Sequence, residues 1–186
     1  TPKRKMEAEL RKLSITDSLT GLFNRRHFHT VLTHELARAN RYKRPVSLIM
    51  LDLDHFKECN DQLGHLEGDN LLRLIGKTAK ESLRKADIAF RFGGDEFIIL
   101  LPEADLGSAA TVAEKFRSYF NAASPYRIAL ETEIPDDPVT LSMGIAQAEG
   151  EEDAETFIKR VDMAMYEAKA AGGDQTVQAN HIGTRV

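Results

Sequence analysis

The feature that most constrains the fold is a short, mostly apolar run that ends in two acidic residues. Residues 46–51 read Val-Ser-Leu-Ile-Met-Leu and are followed directly by Asp52, Leu53 and Asp54. A run of this length is typical of a strand that is buried on both faces of a sheet. Side chains two residues apart on a strand share a face, so the sequence predicts that Asp52 and Asp54 lie together where this strand ends.

A tight hairpin is predicted later in the chain. Residues 88–92 and 97–101 have the pattern of strands, and Gly93-Gly94 indicates a short turn between them. Glycine carries no side chain, so a ligand can approach the backbone closely at this turn.

Two further acids, Asp95 and Glu96, follow that turn. If the hairpin lies beside the strand that ends at Asp52, these carboxylates converge and repel one another. Divalent cations relieve such repulsion, and all-oxygen ligands favour Mg²⁺ or Mn²⁺. A pair of metals held in this way is a known device for displacement at phosphorus. The residues alone therefore indicate metal-dependent phosphate chemistry, and a solvated acidic hairpin tip stays open as the alternative.

Hydrophobic periodicity predicts that the remaining segments complete one α/β domain. The helices are predicted over residues 25–43, 66–85, 106–122 and 153–171, and further strands over residues 126–134 and 139–147. Residues 3–14 also have a helical pattern. For this segment a coiled-coil lead and a helix packed on its own domain are both open.

Composition and charge exclude several classes of protein. The net charge of −4 argues against a nucleic-acid partner bound by bulk electrostatics. The single cysteine, Cys59, cannot form an internal disulfide, so we expect a reducing, cytoplasmic location. No stretch approaches the roughly 18 apolar residues of a membrane span, and we expect no membrane contact by this domain. The chain begins at Thr1. We therefore read it as a piece of a longer protein, which can itself be membrane-anchored.

Residues 91–97, Arg-Phe-Gly-Gly-Asp-Glu-Phe, resemble the signature of the GGDEF family of diguanylate cyclases. The resemblance covers about residues 16–177, because other segments match the family in the same order. These segments are residues 17–26 (Asp-Ser-Leu-Thr-Gly-Leu-Phe-Asn-Arg-Arg), 52–61, 64–69, 142–146 and 162–169. A chance match of so many ordered motifs is negligible.

The resemblance implies a palm fold similar to that of class III nucleotidyl cyclases. This is an α/β (α+β) fold with a central, mostly antiparallel five-stranded sheet, a β-α-α-β core and helices on both faces. It implies a linker or signalling helix at residues 1–15, the catalytic domain at 16–178 and a tail at 179–186. An upstream sensor domain is expected outside this chain.

The implied reaction condenses two GTP molecules into cyclic di-GMP and releases two pyrophosphates. Each domain of a homodimer holds one GTP, whose 3′-hydroxyl attacks the α-phosphate of the other. The implied catalytic residues are Asp95, Glu96 and Asp52, with Asp95 and Glu96 both open as the proton acceptor. The implied metal ligands for two Mg²⁺ or Mn²⁺ ions per half-site are Asp52, the Leu53 carbonyl, Asp95 and Glu96.

The resemblance also implies a set of GTP-binding residues. These are Lys57, Asn60, His65, Asp69, Gly93, Gly94 and Lys169. Asn60 and Asp69 are the guanine readers, because a carboxylate can accept from both N1–H and the exocyclic amine of guanine. Lys57 and Lys169 supply local positive charge to the phosphates.

Arg84 and Asp87 resemble the Arg-x-x-Asp site at which cyclic di-GMP binds and inhibits the enzyme. There Arg84 would fork onto guanine or phosphate oxygens. The candidates for a second contact are Arg38, Arg41 and Lys115. An ordinary surface pair three residues apart stays open as an alternative. For the whole domain, the alternative is a catalytically weak receptor for cyclic di-GMP.

One departure from the family lies after the last helix. The family usually has Gly-Arg-Asn there, whereas this chain has Gly172-Gly173-Asp174. The missing arginine removes a charge-assisted phosphate contact worth about 1.5–3 kcal/mol. We therefore expect weaker GTP binding with intact chemistry, and expect an arginine at position 173 to lower KM.

Overall fold

A computed structural model describes residues 15–124 and 138–181. The predicted helix at residues 3–14 and the predicted strand at 126–134 lie outside the described residues. The strands are β1 (Phe23–Asn24), β2 (Val46–Leu53), β3 (Ile88–Arg91), β4 (Glu96–Pro102), β5 (Leu141–Gln147) and β6 (Thr176–Gln178). The helices are α1 (Arg25–Tyr42), α2 (Phe56–Leu63), α3 (His65–Ser82), α4 (Leu106–Ala123) and α5 (Ala154–Ala170).

The described strands form one sheet in the order β1-β3-β4-β2-β5-β6. The pairings β3–β4, β4–β2 and β2–β5 are antiparallel, whereas β1–β3 and β5–β6 are parallel. The predicted fold class is therefore confirmed, with six described strands instead of the expected five. The two strands that the sequence analysis did not predict, β1 and β6, have only two and three residues. Strands this short leave no alternating pattern to detect.

Strand β2 lies between two hydrophobic cores, and all of its residues are buried. Ile49 and Leu51 belong to the core that β2 forms with α2, α3 and α4. Leu48 and Met50 belong to the core on the other face, with α1 and α5. The helices therefore cover both faces, as expected. Because Asp52 follows Met50 by two positions, it lies on the face covered by α1 and α5.

The chain between β2 and β3 forms two helices and completes the β-α-α-β core. Helix α3 lies close to the prediction, whereas the eight-residue α2 was not predicted. It begins after His55, whose φ of 58° is left-handed, and Gly64 with φ 89° separates it from α3. Within the described ranges, no helix has the length and apolar character needed to cross a bilayer.

Helix α5 packs directly on β5 at Gly144. A Cβ atom at this position would overlap the Met165 amide nitrogen and the Val161 carbonyl oxygen. Both are helix backbone atoms, which cannot move aside as the end of a flexible side chain can. We therefore expect Gly144→Ala to lower the free energy of unfolding by about 2–3 kcal/mol through overpacking, measured by urea denaturation.

Gly107→Ala is the matched control for this substitution. Gly107 lies in the first turn of α4, where an added Cβ would meet only Asp105 Oδ1, at 3.8 Å. Alanine favours the helix and restricts the unfolded chain, so the control should raise the free energy of unfolding by about 0.5–1 kcal/mol. Equal effects of the two substitutions would contradict the close packing of α5 on β5.

Candidate active site

The acidic segments predicted from the sequence come together at one end of the central strands. Asp52, near the end of β2, pairs with Glu96, the first residue of β4, across the antiparallel ladder. On its other side Asp52 pairs with Ser142 of β5. Asp52 is 6% exposed, so its carboxylate is largely withdrawn from water.

Burial sets the protonation of Asp52. It raises the pKa of this carboxyl from 3.8 to about 6; the hydrogen bond from Lys169 opposes the shift, and the charges of Asp95 and Glu96 add to it. Lys169, in the last turn of α5, donates from Nζ to Asp52 Oδ1 at 2.6 Å. The charged form of Asp52 therefore requires a nearby positive charge, and Lys169 supplies one.

Arg91 holds the glycine turn in place. Its Nη2 donates to the Gly94 carbonyl at 2.7 Å, and its Nη1 donates to Asp17 Oδ1 at 3.2 Å. The Gly93 amide donates to the Glu96 carbonyl at 3.1 Å. A Cβ atom at Gly93 would lie 2.6 Å from Glu96 Oε2, so glycine is needed for the Glu96 side chain to fold back over the turn.

Asp54 does not join the acidic cluster that its spacing predicts. Its carboxylate accepts hydrogen bonds from Thr140 Oγ1 at 2.7 Å, Ser142 Oγ at 2.6 Å and the Asp174 amide at 3.0 Å. These bonds tie the end of β2 to β5 and to the segment after α5. Because three donors already satisfy this buried carboxylate, Asp54 is tied to β5 and is not an unpaired member of the acidic cluster.

Gly173, where the family usually has arginine, lies against Asp54. Its φ is 75°, and a Cβ atom there would lie 2.9 Å from Asp54 Oδ2. A residue with a side chain rarely adopts this φ. The expectation that an arginine at position 173 lowers KM for GTP stays a prediction, and the substitution would also press against Asp54.

The acids at the cleft can bind a divalent cation only when another ligand completes its coordination shell with further oxygens. Among residues 15–124 and 138–181, no group of three or more acidic, histidine or cysteine side chains is close enough to hold a metal alone. Mg²⁺ commonly takes one or two carboxylates and completes its shell with substrate phosphates and water. Asp52 and Glu96, which pair across the β2–β4 ladder, can supply the one or two carboxylates of that pattern, and the raised pKa of Asp52 marks the point where a cation is most stabilising.

The residues expected to bind guanine lie at the corner between α2 and α3. The side chain of Asn60 lies against Gly68, where an added Cβ would overlap Asn60 Oδ1. Asp69 follows Gly68 directly and is partly exposed. Lys57 and His65 are exposed on the same two helices. The structure thus brings Asn60 and Asp69 to one corner and leaves Lys57 and His65 open to a ligand.

A cavity of about 460 Å³ opens beside the acids. Asp52, Glu96 and Lys169 line it, together with Met163 and Tyr166 from α5. Met163 is 55% exposed and Tyr166 71% exposed. The sequence analysis did not single out these two residues, since an apolar residue in a helix is usually buried and only the packing of α5 shows which ones are not.

Arg84 and Asp87 form the predicted pair between α3 and β3. Arg84 Nε donates to Asp87 Oδ1 at 2.6 Å, and Arg84 Nη2 donates to the Pro102 carbonyl at 2.7 Å. The Asp87 side chain is buried, whereas about half of the Arg84 side chain is exposed. The guanidinium is therefore fixed in orientation and still accessible to a ligand.

Three residues are candidates for a second contact with the inhibitor. Of these, Arg38 is the one that the described interactions link to Arg84. Arg38 Nη2 lies 2.8 Å from Glu103 Oε1, and Glu103 also feels the charge of Arg84. Lys115 instead lies over an aromatic ring of its own helix, and Arg41 is exposed in the last turn of α1.

A mostly antiparallel sheet, helices on both faces and a buried acid at the end of the central strand define an α/β domain of the palm class. The sequence profile of the family described as "Diguanylate cyclase, GGDEF domain" matches residues 14–175. The chain belongs to the GGDEF-domain family.

Curated relatives agree with this assignment. Diguanylate cyclase DgcP of Pseudomonas aeruginosa is 41% identical over 165 residues, which are 89% of this chain and 24% of that protein. Response regulator PleD of Caulobacter vibrioides is 37% identical over 167 residues, which are 89% of this chain and 36% of that protein. The chain therefore spans only about a quarter to a third of the length of these relatives.

Solved structures share the fold. The coiled coil and GGDEF domain of DgcB from Caulobacter crescentus, in complex with c-di-GMP, matches with a TM-score of 0.87 and 29% identity over 96% of this chain and 92% of that chain. The active GGEEF domain of a diguanylate cyclase from Vibrio cholerae matches with a TM-score of 0.76 and 29% identity over 86% of this chain and 98% of that chain.

The raised pKa of Asp52 predicts a pH-dependent cost to stability. Folding raises this pKa from 3.8 to about 6, so the native state binds the proton more tightly than the unfolded state. The associated stability is complete below about pH 4 and is lost as the pH rises through about 6. Asp52→Asn keeps the shape without the charge. The variant should match the wild type at pH 4 and exceed its free energy of unfolding by the order of 2 kcal/mol at pH 8.

The measurement is urea denaturation across this pH range in the presence of EDTA. Asp61→Asn is the control, because it makes the same substitution at an exposed position on α2. A difference between Asp52→Asn and the wild type that stays constant from pH 4 to pH 8 would show that burial does not raise this pKa.

Proposed function

We propose that this domain condenses two GTP molecules into cyclic di-GMP. The observation that carries the proposal is the buried Asp52, which faces Glu96 across the sheet and Lys169 across the cleft, in a chain of the GGDEF family. The name and the solved active domain of the relatives support the same activity.

In each half-reaction a bond forms between the 3′-oxygen of one GTP and the α-phosphorus of the other. The bond from that phosphorus to the bridging oxygen of the pyrophosphate breaks, and pyrophosphate leaves. The proton of the 3′-hydroxyl passes to Asp95 or Glu96, the acids beside Asp52 that lie closer to solvent. Two such steps close the ring and release two pyrophosphates.

The family generally uses a divalent metal, and we propose two Mg²⁺ or Mn²⁺ ions per half-site. Asp52, the Leu53 carbonyl, Asp95 and Glu96 would hold them. When bound, the ions supply screening of the triphosphate charge and activation of the attacking hydroxyl. The protein's own part is to keep Asp52 at a dry strand end, where its negative charge has a high affinity for a cation.

The remaining residues of the cleft bind and orient GTP. Asn60 and Asp69 would accept hydrogen bonds from guanine at the α2–α3 corner, and His65 lies beside them. Lys57 and Lys169 would contact the phosphates, and the turn at Gly93 and Gly94 would lie against them. Lys169 donates to Asp52, so it is already placed at the inner end of the cleft.

Because each copy binds one GTP, we propose that catalysis requires a homodimer in which two clefts face each other. Residues 1–15 would connect this catalytic domain, residues 16–178, to an upstream sensor that aligns the two copies, and residues 179–186 would form a tail. The GTP pool makes the cytoplasm the expected location. We further propose that the product inhibits the enzyme at Arg84 and Asp87.

The proposed activity predicts a specific product. Protein stripped of nucleotide and incubated at high concentration with GTP and Mg²⁺ should yield cyclic di-GMP and pyrophosphate, separated by chromatography. Asp52→Ala should lower the rate by at least about 100-fold, because the buried cation-binding carboxylate is lost. Glu81→Ala, at an exposed acid of α3 that pairs with Lys77, is the control. A wild type that binds cyclic di-GMP tightly but forms no product, even as a forced dimer, would support the receptor alternative instead.

Product inhibition predicts a separate effect at Arg84. Arg84→Ala should raise the concentration of cyclic di-GMP that halves the rate by about tenfold or more, because a charge-assisted contact is lost. The rate without added product should stay the same, since Arg84 lies outside the catalytic cleft. Lys77→Ala, which removes an exposed charge from α3, is the control. Unchanged inhibition in Arg84→Ala would exclude this site.

A further inference from the structure

Two arginines bind the carboxylate of Glu103, and a third lies near it. Arg38 Nη2 from α1 lies 2.8 Å from Glu103 Oε1, and Arg44 Nη1, from the loop before β2, lies 2.7 Å from the same oxygen. Arg84 Nη2 donates to the carbonyl of Pro102, the residue before Glu103. The topology thus brings the charge of Arg84 to the same surface as those of Arg38 and Arg44.

The backbone conformation at Glu103 does not favour a glutamate, whereas the contacts of its side chain do. Its φ of 54° is left-handed, which glycine or asparagine adopts with less strain. The hydrogen bond from Arg44, with the charges of Arg44, Arg38 and Arg84, holds the pKa of Glu103 below its usual value. One exposed carboxylate therefore stays ionised among three guanidinium groups.

All three guanidinium groups are accessible. The side chains of Arg38, Arg44 and Arg84 are 50%, 58% and 53% exposed. Each carries five N–H donors in a planar fork, and the described contacts occupy only some of them. Such a surface suits an anion with several oxygens, and a phosphodiester has the geometry that the guanidinium fork binds best.

We propose that Arg38, Arg44 and Arg84 form one binding surface for the phosphodiester groups of a cyclic dinucleotide, and that Glu103 is its built-in competitor. The inference rests on the proposed inhibition by cyclic di-GMP and adds Arg44 and Glu103 to that site. A phosphate that binds here shares Arg38 and Arg44 with Glu103 and lies close to its negative charge. Glu103 therefore lowers the affinity for product and raises the concentration at which inhibition begins.

The test compares Glu103→Gln with the wild type by calorimetric titration of cyclic di-GMP into nucleotide-free protein. Glutamine keeps the shape and removes the charge, so Kd should fall by about fivefold to tenfold, and the half-inhibitory concentration should fall with it. Arg44→Ala in the Glu103→Gln background should reverse most of this gain. The basal rate should not change, because Glu103 lies at the far end of β4 from Glu96.

Glu81→Gln is the matched control, since it makes the same charge change at an exposed glutamate of α3 that pairs with Lys77. Glu103→Gln that binds no more tightly than Glu81→Gln would overturn the proposal. Weaker binding would overturn it too, because Glu103 would then contact the ligand itself. If the wild type binds cyclic di-GMP and only the Glu103 effect is missing, the inhibitory site stands without its competitor. If neither the wild type nor Glu103→Gln binds, both proposals fail.

Discussion

The burial of β2 is the constraint on which the rest of the site depends. The strand is hydrogen-bonded to β4 and β5 along its length, and all eight of its residues are buried. The apolar residues stabilise the sheet, and the same packing withdraws Asp52 from water. A carboxylate in that position is costly to ionise, so it attracts any cation that can reach it. The fold thus makes the charged form of Asp52 costly, and Lys169 and the proposed metal ions stabilise that form.

Arg91 connects Asp17, near the start of the described residues, to the glycine turn between β3 and β4. The same guanidinium donates to Asp17 and to the Gly94 carbonyl, and its side chain is only 18% exposed. A displacement of Asp17 must therefore be taken up by Arg91, whose other nitrogens fix the turn that carries Asp95 and Glu96. The position of the turn before Asp95 and Glu96 therefore depends on the position of Asp17.

Much of the fold was predictable because its main elements have strong local patterns. A local sequence pattern is enough to predict the apolar run of β2, the Gly-Gly turn and the long amphipathic helices. The short strands β1 and β6 do not, since strands far along the chain pair with them, and α2 has only eight residues in which a helical pattern can show. The expected site residues were found from motifs, yet their protonation and partners depend on contacts between distant positions. Asp52 and Lys169 are 117 positions apart, and Asp54 is satisfied by donors 86 to 120 positions away.

The two charged centres lie at opposite ends of one strand. Strand β4 begins at Glu96, beside Asp52, and ends at Pro102, next to Glu103. Six residue steps of about 3.3 Å separate these ends by about 20 Å. Strand β4 is paired on both sides and buried beyond its first residue, so a one-residue slip would expose its apolar side chains. A ligand at the arginines therefore has little means of reshaping the cleft through the sheet. We expect the proposed inhibition to act instead on the orientation of the two copies in the proposed homodimer, because the rigid sheet leaves that orientation free.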